Sequence, residues 1–351
     1  MRIVEIIDSL NTKNIGGAEL FYSSLCEEFS KKEIDLYCVV LYDGLDSSVL
    51  KNIDSSKVFF CHKHSKYDFM CARRLKKILS KLNPDIVHIH KTVFTYFLAF
   101  GYKKPKWKTF FTIHTLPQRS GNFLTRWSIK KLIKKNMHLI GISNQISLEI
   151  QKMYNVSTTT INNGIKIINY GSTSKKYDFV CAARFVPLKN HNTLIKVFSL
   201  FNIIHPGSKL LLLGDGPTFE ECKKYINENN LSNSVVFKGK VNNVQQYLEE
   251  SRCFVLCSFA EGNPISVLEA MAHGLVLAVS NVGGIPDIVE NGINGFLFNP
   301  NNEKEILDCI ERAFSASNND AIKNVNIKKG ARYSISNCCD QHLELFMKDC
   351  L

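Results

Sequence analysis

Arg252-Cys-Phe-Val-Leu-Cys-Ser-Phe-Ala-Glu-Gly-Asn-Pro-Ile-Ser-Val-Leu-Glu-Ala-Met-Ala-His-Gly274 joins a continuous apolar run to an amphipathic one through a loop that carries a carboxylate. The run Arg252–Phe259 has the character of a strand buried on both faces, as parallel sheets require. Gly262, Asn263 and Pro264 interrupt it. Asn263 suits an N-cap, Pro264 the first helical position, and Gly274 the C-terminal stop. Ile265, Leu268, Glu269 and Ala272 fall at i, i+3, i+4 and i+7, so the spacing predicts a helix with Glu269 on its apolar face. A charge buried without hydrogen bonds is costly, so Glu269 either pairs with a cation or receives a polar ligand. Its place in a helix that starts at the carboxyl end of a parallel strand, where open α/β sheets bind ligands, favours the ligand.

Outward from this unit, strand and helix patterns alternate along the whole chain, which predicts an α/β protein with parallel sheets. With 351 residues the chain is long enough for two such domains, each burying its own core. Its apolar, aromatic and charged fractions are those of a soluble globular protein. No apolar stretch has bilayer length, and Met1–Asp8 runs straight into a strand pattern without a signal-peptide signature, so a cytoplasmic protein is expected. The twelve cysteines are scattered through strand and helix patterns, with no Cys-x2-Cys pair of metal spacing. They read as small buried hydrophobes.

Charge divides the chain. Residues 1–170 hold 26 Lys and Arg against 13 Asp and Glu, whereas residues 171–351 hold 18 against 19. The excess points the first half toward an anionic surface or ligand, with nucleic acid and a membrane leaflet both open. Both tryptophans lie among clustered cations, Trp107 in Lys103–Lys108 and Trp127 in the amphipathic Phe123–Lys135. Trp127, Lys130, Lys131, Lys134 and Lys135 then stand beside Leu124, Ile129, Leu132 and Ile133. Interfacial binding uses such a combination; a helix with a solvated lysine face has the same pattern.

Three further features carry chemistry. Gly16 and Gly17 precede a helix, where free N–H groups attract anions, although an ordinary strand-to-helix turn would use the same residues. His114 stands at the carboxyl end of the strand pattern Phe110–His114. Arg184 and Lys189 flank the end of the strand pattern that begins at Tyr177. Two cations at such a terminus suit a diphosphate leaving group, and surface ion pairs are the competing use. The polar run Tyr170–Lys176 reads as an interdomain linker, and Lys209–Pro217 and Val235–Val241 as further strands.

Glu261-x7-Glu269, the following Ala-Met-Ala-His-Gly274 and Asn281-Val-Gly-Gly-Ile-Pro-Asp-Ile-Val-Glu-Asn-Gly-Ile-Asn-Gly-Phe-Leu-Phe298 resemble the donor-site half of family-4 retaining glycosyltransferases of the GT-B fold. The likeness is dense over residues 177–300 and thinner before. It implies two Rossmann-like domains facing a cleft: an acceptor-binding domain over 1–170, and a donor-binding domain over 171–332. A C-terminal helix at about 333–351 would cross back to the first domain.

The resemblance also implies transfer of a hexosyl or N-acetylhexosaminyl unit, with retention, from a nucleotide-diphosphate sugar to a glycan acceptor. Within it, Glu269 holds the ribose hydroxyls, while Glu261 and the backbone N–H groups of Gly262, Asn263 and Ile265 hold the sugar. Arg184 and Lys189 take the diphosphate, Gly16 and Gly17 face it, His114 contacts the transferred sugar, and the backbone near Val241 meets the base. Thr115 replaces the aspartate that often follows the histidine, and Asn263 stands where an aromatic residue is common.

No Asp-x-Asp pair is present and no cofactor or metal is expected, because cationic side chains neutralise the leaving group. The positive first half then suggests a polyprenyl-diphosphate-linked acceptor and a peripheral position on an anionic inner-membrane surface. A soluble small-molecule acceptor and a sugar-nucleotide epimerase of the same architecture remain alternatives. A nicotinamide dehydrogenase would need Gly-x-Gly-x-x-Gly after the first strand, which Gly16-Gly17 does not supply. No nucleic-acid-binding module is recognisable, and nucleic acid is not expected as a partner.

Overall fold

The computed structural model describes residues 1–10, 16–44, 49–50, 52–65, 68–98, 105–115, 123–133, 137–168, 171 and 174–348. Two compact units emerge. One comprises Met1–Gly164 with Ile335–Leu351, the other Ile165–Ser334.

The first unit runs β1 (Arg2–Ile7), α1 (Gly17–Phe29), β2 (Asp35–Val40), β3 (Val58–Phe60), α2 (Phe69–Leu82), β4 (Ile86–His90), α3 (Phe94–Leu98), β5 (Lys108–Ile113), α4 (Phe123–Ile133), β6 (Met137–Gly141), α5 (Asn144–Tyr154) and β7 (Thr159–Thr160). Its strands form one seven-stranded sheet in the order β3-β2-β1-β4-β5-β6-β7, and every pairing is parallel. Local sequence explains the element ends. The Asp68 carboxylate caps α2 by accepting from Cys71 N, and Asn83 closes the helix in the left-handed conformation just before Pro84. Ser143 caps α5 through Ile146 N. At the edge of the sheet only Thr159–Thr160 pair with β6.

The second unit runs β8 (Tyr177–Ala182), α6 (His191–Ile204), β9 (Leu210–Leu213), α7 (Phe219–Glu228), β10 (Val235–Gly239), α8 (Val244–Glu249), β11 (Ser251–Leu256), α9 (Ile265–Ala272), β12 (Val276–Ser280), β13 (Gly295–Phe298), α10 (Glu303–Ser315) and α11 (Asp320–Ala331). Six parallel strands lie in the order β10-β9-β8-β11-β12-β13, the doubly wound arrangement in which the order reverses between β8 and β11. A continuous apolar core fills both faces, from Phe179, Leu211 and Phe254 in the strands to Phe198, Leu268 and Ile306 in the helices.

The last helix, α12 (Ile335–Lys348), belongs to the first unit, where Phe346 packs on Phe29 and Phe110. All described cysteines are buried and free. No helix among the described residues is long and apolar enough to cross a membrane.

Candidate functional site

In the second unit the sheet order reverses between β8 and β11, and the loops after these strands hold Arg184, Lys189, Glu261, Gly262 and Asn263. Arg184 leaves the end of β8, exposed and without a side-chain partner among the described residues. The backbone beneath it is fixed by Ala183 N to Leu213 O (3.0 Å) and Phe185 N to Asp215 O (3.0 Å). Gly214 has φ of +134°, and a Cβ there would come within 2.0 Å of Ala183 O, so only glycine lets the two loops approach. Phe185 turns inward and stacks on His191 at 3.9 Å between ring centres. The chain then makes one 3-10 turn, Pro187–Lys189, before α6.

Lys189 is brought onto the loop after β11. Phe259 N donates to Leu188 O at 2.9 Å, and Lys189 Nζ lies 2.5 Å from Glu261 Oε1. Glu261 is buried, and its carbonyl is closely covered by Gly283, whose Cβ would sit 1.7 Å from it. Gly283, at φ +61°, therefore shapes the loop that aims the Glu261 carboxylate. Lys189 and Glu261 thus neutralise each other.

Two local expectations are corrected here. Pro264, extended at φ −72° and ψ 114°, is the N-cap of α9, so Asn263 lies outside the helix as a buried loop residue and no side chain caps the helix. Glu269 is also off the buried stripe. Val267, Leu268, Ala270, Met271 and Ala272 fill the interior, and Glu269 stands at the edge of that stripe, half-buried. Gly262, Ile265 and Val241 are half-buried as well, the last two packed against the core.

The Glu269 carboxyl has no cationic partner among the described residues. Desolvation pushes its pKa up to about 7, and a hydrogen bond from Gln245 Nε2 at 3.3 Å to Oε1 opposes the shift. Gln245 was not visible as a site residue. Its amide is oriented by two backbone bonds, Nε2 to Lys166 O (2.6 Å) and Ile168 N to Oε1 (2.8 Å), and His273 Nε2 lies 3.2 Å from the same oxygen. His273 Nδ1 is 2.8 Å from Glu249 Oε1. His273 belongs to the quoted Ala-Met-Ala-His-Gly274 segment, but nothing in the sequence ties it to Gln245.

In the first unit, Gly16 caps α1 and its N–H donates to Glu19 Oε2 at 3.0 Å, while Glu19 also pairs with Lys91. Gly17 opens the helix and is exposed. The least expected feature is a buried polar chain across β1, β4 and β5. Glu5 meets His88 Nδ1 at 2.9 Å through Oε1 and His90 Nε2 at 3.0 Å through Oε2. His88 Nε2 meets Thr112 Oγ1 at 2.7 Å, and His90 Nδ1 lies 3.0 Å from His114 Nε2.

His342 of α12 stands 5.3 Å from His88, ring centre to ring centre, with Nδ1 2.8 Å from Cys338 O. Burial lowers the pKa of His88, His114 and His342 to about 3 and holds that of His90 well below the ordinary histidine value, so all four rings are neutral at pH 7. The same burial raises Glu5, with the His90 hydrogen bond opposing it. Glu5, His88 and His90 could converge on a metal ion, but their spacings are those of hydrogen bonds that satisfy one another. Ionisable residues inside the otherwise apolar runs Ile3–Ile7 and Ile86–His90 were the available signal.

The basic segments are only partly described; Lys103, Lys104, Lys134 and Lys135 lie outside the described residues. Trp127 is 42% exposed and Lys131 Nζ sits 3.8 Å from the centre of its ring system. Ile129 and Leu132 are buried beneath. Trp107, by contrast, packs against the core of its unit and is not free to insert into an interface.

Residues 15–167 match the family described as Glycosyltransferase Family 4, and residues 165–332 that described as Glycosyl transferases group 1. The chain belongs to the family-4 glycosyltransferases. This glycosyltransferase is 24% identical to N-acetyl-alpha-D-glucosaminyl L-malate synthase of Bacillus anthracis over 81% of each chain. It is 29% identical to UDP-Gal:alpha-D-GlcNAc-diphosphoundecaprenol alpha-1,3-galactosyltransferase of Escherichia coli over 60% of its own length and 52% of that protein's. The Anabaena protein HepE, solved in complex with UDP, superimposes with a TM-score of 0.81 at 17% identity, over 99% of this chain and all of that one. That likeness shows the fold, which is GT-B.

Proposed function

We propose that this glycosyltransferase moves a hexosyl or N-acetylhexosaminyl unit, with retention, from a nucleotide-diphosphate sugar to a lipid-diphosphate-linked glycan. The observation that carries the donor half is the grouping at the second unit's switch point. Arg184 and Lys189 follow β8, and Glu261 and the desolvated Glu269 follow β11. Arg184 and Lys189 would hold the diphosphate and neutralise the departing charge, so that no metal is required. Glu261, with the N–H groups of Gly262, Asn263 and Ile265, would bind the sugar, Glu269 the ribose, and the backbone near Val241 the base. From the first unit, Gly16 and Gly17 would meet the diphosphate and His114 the transferred sugar.

The acceptor half rests on charge and on the relative from Escherichia coli, whose name specifies a diphosphoundecaprenol-linked acceptor. Besides α4, the helix α2 presents Phe69 and Met70, both exposed, beside exposed Arg73, Lys76, Lys77 and Lys81. Such a face suits an anionic membrane surface, where each nearby cation contributes about 1 kcal/mol. The protein would then work peripherally on the cytoplasmic face. A soluble acceptor is the second reading, favoured by the malate-directed name of the Bacillus anthracis relative.

Nucleotide sugars are first screened for protection against thermal unfolding. The protecting donor is then incubated with a polyprenyl-diphosphate-linked glycan, with malate, or with no acceptor, and the anomeric configuration of the product is read by NMR. No protection by any donor sinks the donor site. Conversion without acceptor indicates an epimerase, and transfer to malate alone indicates the soluble acceptor. Sedimentation with anionic vesicles at low and high salt tests the surface. Equal binding by wild type and by a variant with Lys130, Lys131, Lys134 and Lys135 changed to glutamate removes it.

A further inference from the structure

The Glu5–His90–His114 chain ends on an atom with an assignable role. His114 Nδ1 is buried and has no hydrogen-bond partner among the described residues. A neutral imidazole donates from one nitrogen and accepts at the other, so each bond in the chain dictates the next. With Glu5 ionised, His90 Nε2–H donates to Oε2, His90 Nδ1 must accept, and the hydrogen between the two rings belongs to His114 Nε2. His114 Nδ1 is then a bare lone pair. The same polarity holds if Glu5 carries a proton on Oε1, since His88 then accepts that proton at Nδ1 and donates from Nε2 to Thr112.

Only a proton on Oε2 reverses the chain, and it would leave a buried Nδ1–H with nothing to donate to. An orphaned buried donor is rarer and costlier than an unfilled lone pair. The surroundings hold the rings in place. Tyr22 lies edge-on to His90 at 5.3 Å, Phe21 edge-on to His114 at 5.7 Å, and the His90 and His114 rings stack at 5.3 Å.

We infer that Glu5 and His90 are positioning residues that lock His114 as the Nε2–H tautomer, so that its Nδ1 accepts the hydrogen of one hydroxyl of the transferred sugar. The inference rests on the reading of His114 as a sugar contact. It adds a direction to that contact: the site takes a hydroxyl donor, and a donor sugar lacking that hydroxyl loses the bond. An Nδ1–H in its place would select an acceptor group instead.

The test joins spectroscopy with kinetics on the full chain. Two-bond ¹H–¹⁵N correlation of histidine-labelled protein near pH 7 reads each tautomer without any ligand. Wild-type His114 is expected as Nε2–H alone. In His90→Phe, which keeps a ring of similar size, and in Glu5→Gln, whose amide has two orientations of opposite polarity, both His114 tautomers are expected. Nδ1–H in the wild type, or an unmixed Nε2–H form in both variants, overturns the inference.

With UDP-glucose, UDP-galactose or UDP-N-acetylglucosamine, whichever the enzyme uses, kcat in the variants should fall about tenfold, with donor KM within about twofold of wild type. One monodeoxy donor should show that same fall with wild type and no further fall with His90→Phe, because the two changes remove one interaction. Full additivity for every monodeoxy donor also overturns it. Should the wild type turn over no nucleotide sugar, the proposed function fails, and the tautomer spectra still decide the lock. Should His90→Phe not fold, Glu5→Gln carries both measurements.

Discussion

Lys189 Nζ and Glu261 Oε1 lie 2.5 Å apart, joining the loop after β8 to the loop after β11. In the proposed reaction the two serve different parts of the donor, the lysine the diphosphate and the carboxylate the sugar. Without donor they neutralise each other. Glu261→Gln should leave nucleoside-diphosphate affinity unchanged or tighter, because Lys189 is released, while turnover falls a hundredfold or so. Lys189→Met should weaken the same nucleotide about tenfold or more and destabilise the fold by roughly 1–3 kcal/mol, since a buried carboxylate loses its partner. Calorimetric titration and thermal unfolding check this. Equal weakening of nucleotide binding by both variants would refute the division of roles.

Arg184 behaves differently because it is exposed and pairs with nothing among the described residues. Arg184→Ala should unfold within about 0.5 kcal/mol of wild type, as surface substitutions usually do. Its turnover should nevertheless fall about a hundredfold, the worth of a charge-assisted contact to the leaving group. Near-normal rates would remove Arg184 from the diphosphate site.

The pH dependence of Glu269 has a definite sign. Its folded pKa of about 7 lies above the ordinary carboxylate value, so between about pH 4.5 and 7 the folded chain holds a proton that the unfolded chain has released. This contribution is fully present below that window and lost as pH rises through it. Above pH 7 the cost is on the order of 3 kcal/mol. Glu269→Gln should therefore raise stability at pH 8 by about 1–3 kcal/mol, with little gain at pH 5, while turnover collapses. A gain independent of pH would show that the carboxyl is not desolvated.

The histidines of the first unit act in the opposite direction. Their depressed pKa values mean that the unfolded chain takes up protons near pH 6.5 that the folded chain refuses until about pH 3. Stability is complete above pH 6.5 and is lost as pH falls through this window, by about 1.4 kcal/mol per pH unit for each ring. Glu5, shifted upward, offsets part of it below its own folded pKa. Urea unfolding of His342→Phe should show a slope against pH shallower by about one proton; an unchanged slope would mean that His342 is already charged in the fold.

Chelation addresses the leaving group. If Arg184 and Lys189 supply the positive charge, EDTA should leave initial rates within about twofold. Loss of activity restored by magnesium or manganese would contradict the proposal.

Much of this was legible in the chain. The strand-loop-helix punctuation around Glu261 and Glu269 located β11 and α9, because apolar runs and turn residues report local structure. The α9 cap was misassigned by one residue, since Asn263 and Pro264 both favour such a junction and only the backbone angles of Pro264 separate the cases. Trp107 could not be placed either. Its neighbours are lysines, but the surface it packs on is built by residues distant in sequence. The Glu5–His90–His114 chain was equally hidden, because it exists only once the parallel register sets His88 beside Glu5 and Phe110 beside His88. Strand order cannot be read from any one strand.

The return of α12 to the first unit has a consequence during synthesis. Residues 165–334 form a complete unit that is translated before Ile335–Lys348, whereas the first unit has all its strands early and lacks His342 and Phe346 until the end. At roughly 5–20 residues per second, that wait lasts about 10–30 s. Throughout it, the faces of Phe29 and Phe110 that later meet Phe346 stay open. Until α12 is made, chaperones and proteases can engage those faces, so the arrival of α12 is the step that closes the first unit.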